Sequence, residues 1–147
     1  MEHLERLFQR YDRILIFDTE TTGLRFDRDE IIQFSAVMLE RGGVTQQYDR
    51  LIQLAPGQQV PPEIQRLTGI TTQDVQQRGI PRDQAAREIA DLLAGDTLLT
   101  AYNAHFDLSF LFHMLRTHGD PGCLQGKDKL DLLTVYRDRR AYPHKPI

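Results

Sequence analysis

The sequence has no tryptophan and a single cysteine, Cys123, among 147 residues. A lone thiol can neither close an internal disulfide nor build a cysteine zinc site, so packing has to hold the chain together. Also missing is any run of the roughly 20 apolar residues that a bilayer-spanning helix requires. The opening Met1-Glu2-His3-Leu4-Glu5-Arg6 lacks the basic-then-apolar order of a signal peptide. The expectation is a cytoplasmic chain that does not engage a membrane. A general excess of positive charge is absent too: the net charge of −3 speaks against a protein that holds nucleic acid over its whole surface. With 7 prolines, 10 glycines and 40% apolar residues, a disordered or collagen-like chain is excluded. The length suits one compact domain, residues 1–147.

The charge is unevenly spread. Residues 127–145 carry Lys127, Lys129, Arg137, Arg139, Arg140 and Lys145 against Asp128, Asp131 and Asp138, a local +3 that leaves −6 for the rest. Such a stretch suits either a solvated helix face or a contact with phosphates.

Arg13-Ile14-Leu15-Ile16-Phe17 is a continuous apolar run that predicts a strand buried on both faces, ending at Asp18-Thr19-Glu20-Thr21-Thr22-Gly23. Ile31–Leu39 and Val44–Leu54 predict two more strands around a turn at Arg41-Gly42-Gly43, which makes an antiparallel meander of three. Pro61-Pro62 opens a short helix over 63–67 that Gly69 stops. Thr71-Thr72-Gln73-Asp74 is a capping-box-like start for a helix ending near Gly79. A longer helix has Pro81 in its first turn, Ala85, Ile89, Leu92 and Leu93 on one face, and Gly95 at its end. Thr97–Ala101 predicts a short strand, and Leu108, Leu111, Phe112 and Leu115 a helix that reaches Gly119. Lys129-Leu130-Asp131 predicts a last short strand, with a helix following through residues 134–137.

Asp18 and Glu20 lie two apart, so on a strand both carboxylates project from the same face. Clustered anions repel and resist desolvation unless a cation lies between them, and hard oxygen donors suit Mg²⁺ or Mn²⁺. A solvated turn accounts for the same pair. Asp107 lies in the first turn of a helix that directly follows a strand, where backbone amides favour an anion without any catalytic role. Ligands nevertheless gather at the strand ends of such sheets, and three converging carboxylates can hold the two-metal clamp of phosphodiester hydrolysis.

Phe17-Asp18-Thr19-Glu20-Thr21-Thr22-Gly23 and Asn103-Ala104-His105-Phe106-Asp107 resemble the first two motifs of the DEDD-type 3′–5′ exonucleases. Pro62-Glu63-Ile64-Gln65-Arg66-Leu67-Thr68-Gly69-Ile70-Thr71 is similar to a segment of that family's proofreading-subunit branch. The resemblance covers about residues 13–140. It implies a ribonuclease H-like α/β fold: a mixed sheet with a three-stranded antiparallel meander and flanking helices. It also implies hydrolysis of single-stranded DNA or RNA from the 3′ end to nucleoside monophosphates, with two divalent cations, Mg²⁺ or Mn²⁺, as cofactors and a DNA polymerase as a partner. By the same comparison Asp18, Glu20 and Asp107 are catalytic metal ligands. Thr21, Thr22, Gly23 and Leu24 shape the pocket for the terminal nucleotide, and Leu67, Thr68, Asn103 and Phe106 line it. Phe106 and Leu67 also suit the core, and Asn103 a helix cap.

One part of the family pattern is missing. No histidine is followed five residues later by aspartate, and no tyrosine is followed four residues later by one, so the fourth carboxylate and the general base have no candidate. Either the chain is shortened at its C-terminus before its last helices, the expectation favoured by the connector-like Pro143-His144-Lys145-Pro146-Ile147, or it is a variant with an incomplete site. The first option implies a parent enzyme whose 147-residue piece is weak. The second implies a non-catalytic module that holds a 3′ end or a polymerase.

Overall fold

The apolar run at Arg13–Phe17 starts a strand that does not stop at Asp18. In the computed structural model, which describes residues 2–134, β1 spans Arg13–Thr21 and takes both acidic residues inside it. The strand is not buried on both faces as expected. Leu15, Phe17 and Thr19 are buried, while Ile16 is 39% exposed and Asp18 is exposed, the period-2 alternation of a half-buried strand.

The expected meander is present. β2 (Ile31–Glu40) and β3 (Gly43–Leu51) follow β1, and β1–β2 and β2–β3 pair antiparallel. Gly42, with φ 109°, turns the hairpin in a region closed to most side chains. β3 ends at Leu51 rather than 54 because Ile52 leaves the ladder to bridge Ile80.

β4 (Thr97–Ala101) and β5 (Lys129–Asp131) extend the sheet on the other side of β1. Both run parallel to their neighbours, giving the order β3-β2-β1-β4-β5. This is the mixed α/β sheet that the resemblance implies. β4 is buried along its whole length, as a central strand should be.

Among the described residues five α-helices, a 3₁₀ turn at Pro121–Leu124 and the start of one more helix flank the strands. α1 (Glu2–Arg10) was not expected from the sequence; it is an amphipathic helix of about two and a half turns whose few apolar residues, Leu4, Leu7 and Phe8, share one face. α2 (Pro62–Thr68) has Pro62 at its start and Gly69 in the left-handed conformation at its end, φ 76°. α3 (Thr72–Arg78) has the expected capping box: the Thr71 hydroxyl accepts from the Asp74 amide at 3.0 Å, and the Thr71 amide donates to the Asp74 carboxylate. In α4 (Arg82–Leu93) Pro81 is the residue before the helix rather than part of its first turn, and Ala94 ends it one residue ahead of Gly95. α5 (Ala104–His118) matches its expected span. The helix expected at 134 starts earlier, at residue 132, and α6 is the name used below for residues 132–134. Residues 135–147, with Arg137, Arg139, Arg140 and Lys145, lie outside the described residues.

Leu15, Phe17, Phe34 and Met38 of the sheet pack with Ile89 and Leu93 of α4 and Leu111 and Leu115 of α5 in the main core. A second cluster of Ile32, Leu54, Val60, Ile70 and Val75 seats α3 and the segment before α2. The opposite face of β1–β3 carries Ile16, Asp18, Ser35, Val37, Gln47 and Asp49 around an open depression of about 490 Å³.

Candidate active site

Parallel pairing puts the C-terminal ends of β1, β4 and β5 at one edge of the sheet. That edge carries Asp18 and Glu20 near the end of β1, Asn103–Asp107 just beyond β4, and Asp131 at the end of β5. Ladder geometry alone therefore brings acidic residues more than 80 positions apart to one place.

Asp107 is the most constrained of them. It lies in the first turn of α5, 5% exposed, and its Oδ1 accepts a 2.6 Å hydrogen bond from the Thr19 hydroxyl. Burial pushes its carboxyl up to about 6, against the pull of the Thr19 bond, and the charges of Asp18, Asp131 and Glu20 push the same way. Glu20 is half-buried and is also raised, by burial first and then by Asp18. No arginine, lysine or histidine forms an ion pair with Asp18, Glu20, Asp107 or Asp131 among the described residues.

Asp18 and Glu20 share one face of β1, whereas Thr19, and Asp107 with it, lie toward the other. Among the described residues no three of the acidic, histidine or cysteine side chains stand close enough to grip one ion together. The carboxylates are coupled by charge without forming a closed cluster. The solvated-turn reading of Asp18 and Glu20 is overturned, since both belong to the ladder opposite Ser35 and Gln33.

The loop after β1 is built from the four residues expected to shape a pocket. The Thr21 hydroxyl donates to the Gly23 carbonyl at 2.6 Å. Thr22 closes the loop at its base: its amide donates to the Glu30 carbonyl and its hydroxyl accepts from the Glu30 amide at 3.0 Å. Asp29 organises the interior, accepting from the Arg25 amide at 3.0 Å and from Thr22 at 3.5 Å. A Cβ at Gly23 would lie 2.4 Å from the Asp29 carboxylate, so any larger residue there forces Asp29 to shift. Leu24 is left 83% exposed at the tip.

Leu67 is 81% exposed at the end of α2, which overturns its core alternative. The Thr68 hydroxyl is engaged within its own helix end, donating to the Ile64 carbonyl and accepting from the Ile70 amide. Asn103 occupies the position before α5 but makes no side-chain cap bond. Phe106 packs on the core and stands 4.8 Å from Phe110, ring to ring, while remaining partly exposed.

Two residues at this edge had no assigned part in the sequence reading. Thr19 was visible only as the residue between two acids, and the parity that turns it inward is the signal that finds it. Asp131 was placed on a strand and given no role. Its Oδ1 accepts from the Leu133 amide at 3.0 Å, and the same amide reaches the Tyr102 carbonyl at 2.6 Å, which ties the start of α6 to the turn that leads into α5.

Residues 15–145 match the exonuclease family of RNase T type. The 3′–5′ exonuclease DinG of Bacillus subtilis is 37% identical over 132 residues, 89% of this chain and 13% of that protein. DNA polymerase III subunit epsilon of Treponema pallidum is 35% identical over 96 residues, 65% of this chain and 42% of that protein. E. coli Exonuclease I, solved in complex with a dT13 oligonucleotide, superposes with a TM-score of 0.83 over 91% of this chain and 31% of its own, at 24% identity, a likeness of fold. The chain thus spans well under half the length of these relatives. Among the described residues no helix is long and apolar enough to cross a membrane.

Proposed function

The chain belongs to the DEDD-type 3′–5′ exonuclease family, and from that premise we propose that it is a single metal-dependent exonuclease unit acting on the 3′ end of single-stranded nucleic acid. The observation that carries the metal dependence is the uncompensated negative charge at the sheet edge. Asp107 is raised by its burial first and further by the charges of Asp18, Asp131 and Glu20, and no cationic side chain among the described residues pairs with it. A donor set made only of carboxylate oxygens fits Mg²⁺ or Mn²⁺. Asp18, Glu20 and Asp107 would hold the cations, which when bound activate water and stabilise the leaving oxygen of a phosphodiester.

The chain's own residues divide the remaining work. Thr19 holds the Asp107 carboxylate in place. Thr21, Thr22 and Gly23 keep the loop tight so that Leu24 stands out beside the sheet edge. Leu24 and Leu67 offer exposed apolar surface of the kind a base stacks on, and Asn103 and Phe106 flank the turn into α5. The relative named as a DNA polymerase subunit supports DNA as substrate and a DNA polymerase as partner.

A general base is worth about 10²–10⁴-fold, and no His-x-x-x-x-Asp is present to supply one. We therefore expect slow shortening of a 3′-terminal single strand by this chain with Mn²⁺, and faster shortening by a longer version that includes such a motif. Asp18→Ala should abolish cleavage in that longer version. An unchanged rate in Asp18→Ala would sink the reading. Saturable, metal-dependent binding with no cleavage in any version would instead favour the non-catalytic module, the reading that the missing third motif supports.

A further inference from the structure

Of the five cavities described here, four are lined by at least one carboxylate: Asp18 and Asp49 in one, Glu5 and Glu40 in another, Glu30 and Asp83 in a third, Asp96 and Asp128 in a fourth. The fifth, of about 320 Å³, has none. It is walled by Phe26, His105, Phe112, Lys127 and Lys129 over an apolar floor that includes Leu99 and Leu124. Among these five, it is the one where a phosphate meets a lysine without an acid in the lining.

The composition of the walls comes from local structure. Lys127 also borders the neighbouring cavity that holds Asp96 and Asp128, where the Asp128 carboxylate accepts a 2.5 Å hydrogen bond from the Tyr11 hydroxyl, so Lys129 is the lysine that this groove alone contains. Lys127 is steadied by the Gly95 carbonyl. Lys129 is exposed and enters no ion pair among the described residues. Across the cavity His105, Ser109 and Phe112 recur at the spacing of one face of α5. Phe112 is 46% exposed and Phe26 is 51% exposed, which is unusual for two large aromatic rings facing one cavity.

We infer that this groove holds the part of a single strand on the 5′ side of the terminal nucleotide. Phe26 and Phe112 act as stacking surfaces, and Lys129 as the phosphate contact. The inference rests on the function proposed above and adds to it a second subsite. The groove shares two elements with the terminal site: Phe26 lies in the same loop as Leu24, and His105 in the same first turn of α5 as Asp107. Exposed aromatics interleaved with lysines are what sequence-tolerant single-strand binding uses, since every base has a stacking face. The volume lies at the lower end of the ~300–1,000 Å³ range of ligand pockets, a size for a nucleotide unit rather than for a folded partner.

The test measures binding of the full chain to thymidine 5′-monophosphate and to dT8 in Mn²⁺, for the parent and for Phe112→Ala, Lys129→Gln and Leu24→Ala. Phe112→Ala should weaken dT8 on the order of 10-fold by loss of stacking and leave the mononucleotide unchanged. Lys129→Gln should flatten the slope of log affinity against log salt by about 0.7, the value for one phosphate contact on a single strand. Parent-like dT8 affinity in Phe112→Ala together with a parent-like salt slope in Lys129→Gln overturns the groove, as does a parent that binds the mononucleotide but gains nothing from a longer strand. Loss of affinity for a polymerase rather than for dT8 in these variants also overturns it, in favour of a protein contact. If Leu24→Ala leaves both ligands unaffected while the groove variants weaken dT8, the terminal-nucleotide reading fails and the groove stands.

Discussion

Asp107 is a carboxylate that folding places in a costly position. Its proton is held to about 6, whereas an unfolded aspartate releases its own near 3.9. A carboxyl raised in the folded state contributes stability that is complete below the unfolded value and is lost as pH rises through the folded one. For metal-free protein this group therefore stabilises the fold at about pH 4 and no longer does so at neutral pH. The difference is about 2–3 kcal/mol for a shift of this size. Asp107→Asn keeps an acceptor for the Thr19 hydroxyl and removes the titration. We expect the variant to melt higher than the parent at pH 7 in EDTA, by roughly 5–10 °C at this chain length, and the gap to close as pH falls toward 4. Thermal melts across that range check it, and a gap that does not change with pH counts against the assignment. With Mn²⁺ present the order should reverse, since a cation that binds only the folded parent adds to its stability and the variant has lost a ligand.

The loop between β1 and β2 shows how an element-scale device sets up a site. Its interior is filled by one carboxylate, Asp29, and the approach of Asp29 to the Gly23 backbone leaves no room for a methyl group. Gly23→Ala should push Asp29 aside and weaken its bonds to the Arg25 amide and the Thr22 hydroxyl. The expected loss of stability is about 1 kcal/mol, read by urea unfolding, with a larger proportional loss in mononucleotide binding because Leu24 is repositioned. Equal effects on both would show that the loop is merely structural. The same elements show what sequence can and cannot reveal. Turns with a local chemical requirement were legible: Gly42 in the hairpin, Gly69 after α2, and the Thr71–Asp74 box. The alternation of apolar and acidic residues at 13–20 was read as a buried strand followed by a turn, because four consecutive apolar residues masked a period of two that becomes plain only when Asp18 and Glu20 are counted in the strand. α1 was missed because only Leu4, Leu7 and Phe8 of its nine residues are apolar, a short pattern that stands out only once the helix is seen. Asp131 was missed because a three-residue strand has no sequence signature of its placement; its role comes from pairing with β4, a relation between segments 28 positions apart or more.

On the scale of the molecule, the sheet order segregates charge. The antiparallel meander lies on one side of β1, and the two parallel strands on the other bring Asp18, Glu20, Asp107 and Asp131 to one edge. These four carboxylates exceed the whole formal charge of −3, so the remainder of the chain is close to neutral, and the lysines beside β5 lie near the edge without neutralising it. A strand of phosphates entering the groove at Lys129 is attracted at one end and repelled at the other. At physiological salt charges act over roughly 8 Å, so the repulsion is felt by the terminal nucleotide and hardly at all by distant ones. Divalent cations at the edge should therefore change dT8 affinity even without cleavage. At fixed ionic strength we expect binding in Mn²⁺ to exceed that in EDTA on the order of tenfold, about 1.4 kcal/mol. A double variant, Asp18→Asn with Glu20→Gln, separates two causes. If the acidic edge acts by repulsion, the variant binds dT8 in EDTA nearly as well as the parent does in Mn²⁺, and Mn²⁺ adds little. If the cation instead bridges protein and phosphate, the variant stays weak in both. Anisotropy titrations distinguish these outcomes, and a parent whose affinity is the same in Mn²⁺ and EDTA would remove the electrostatic role of the edge altogether.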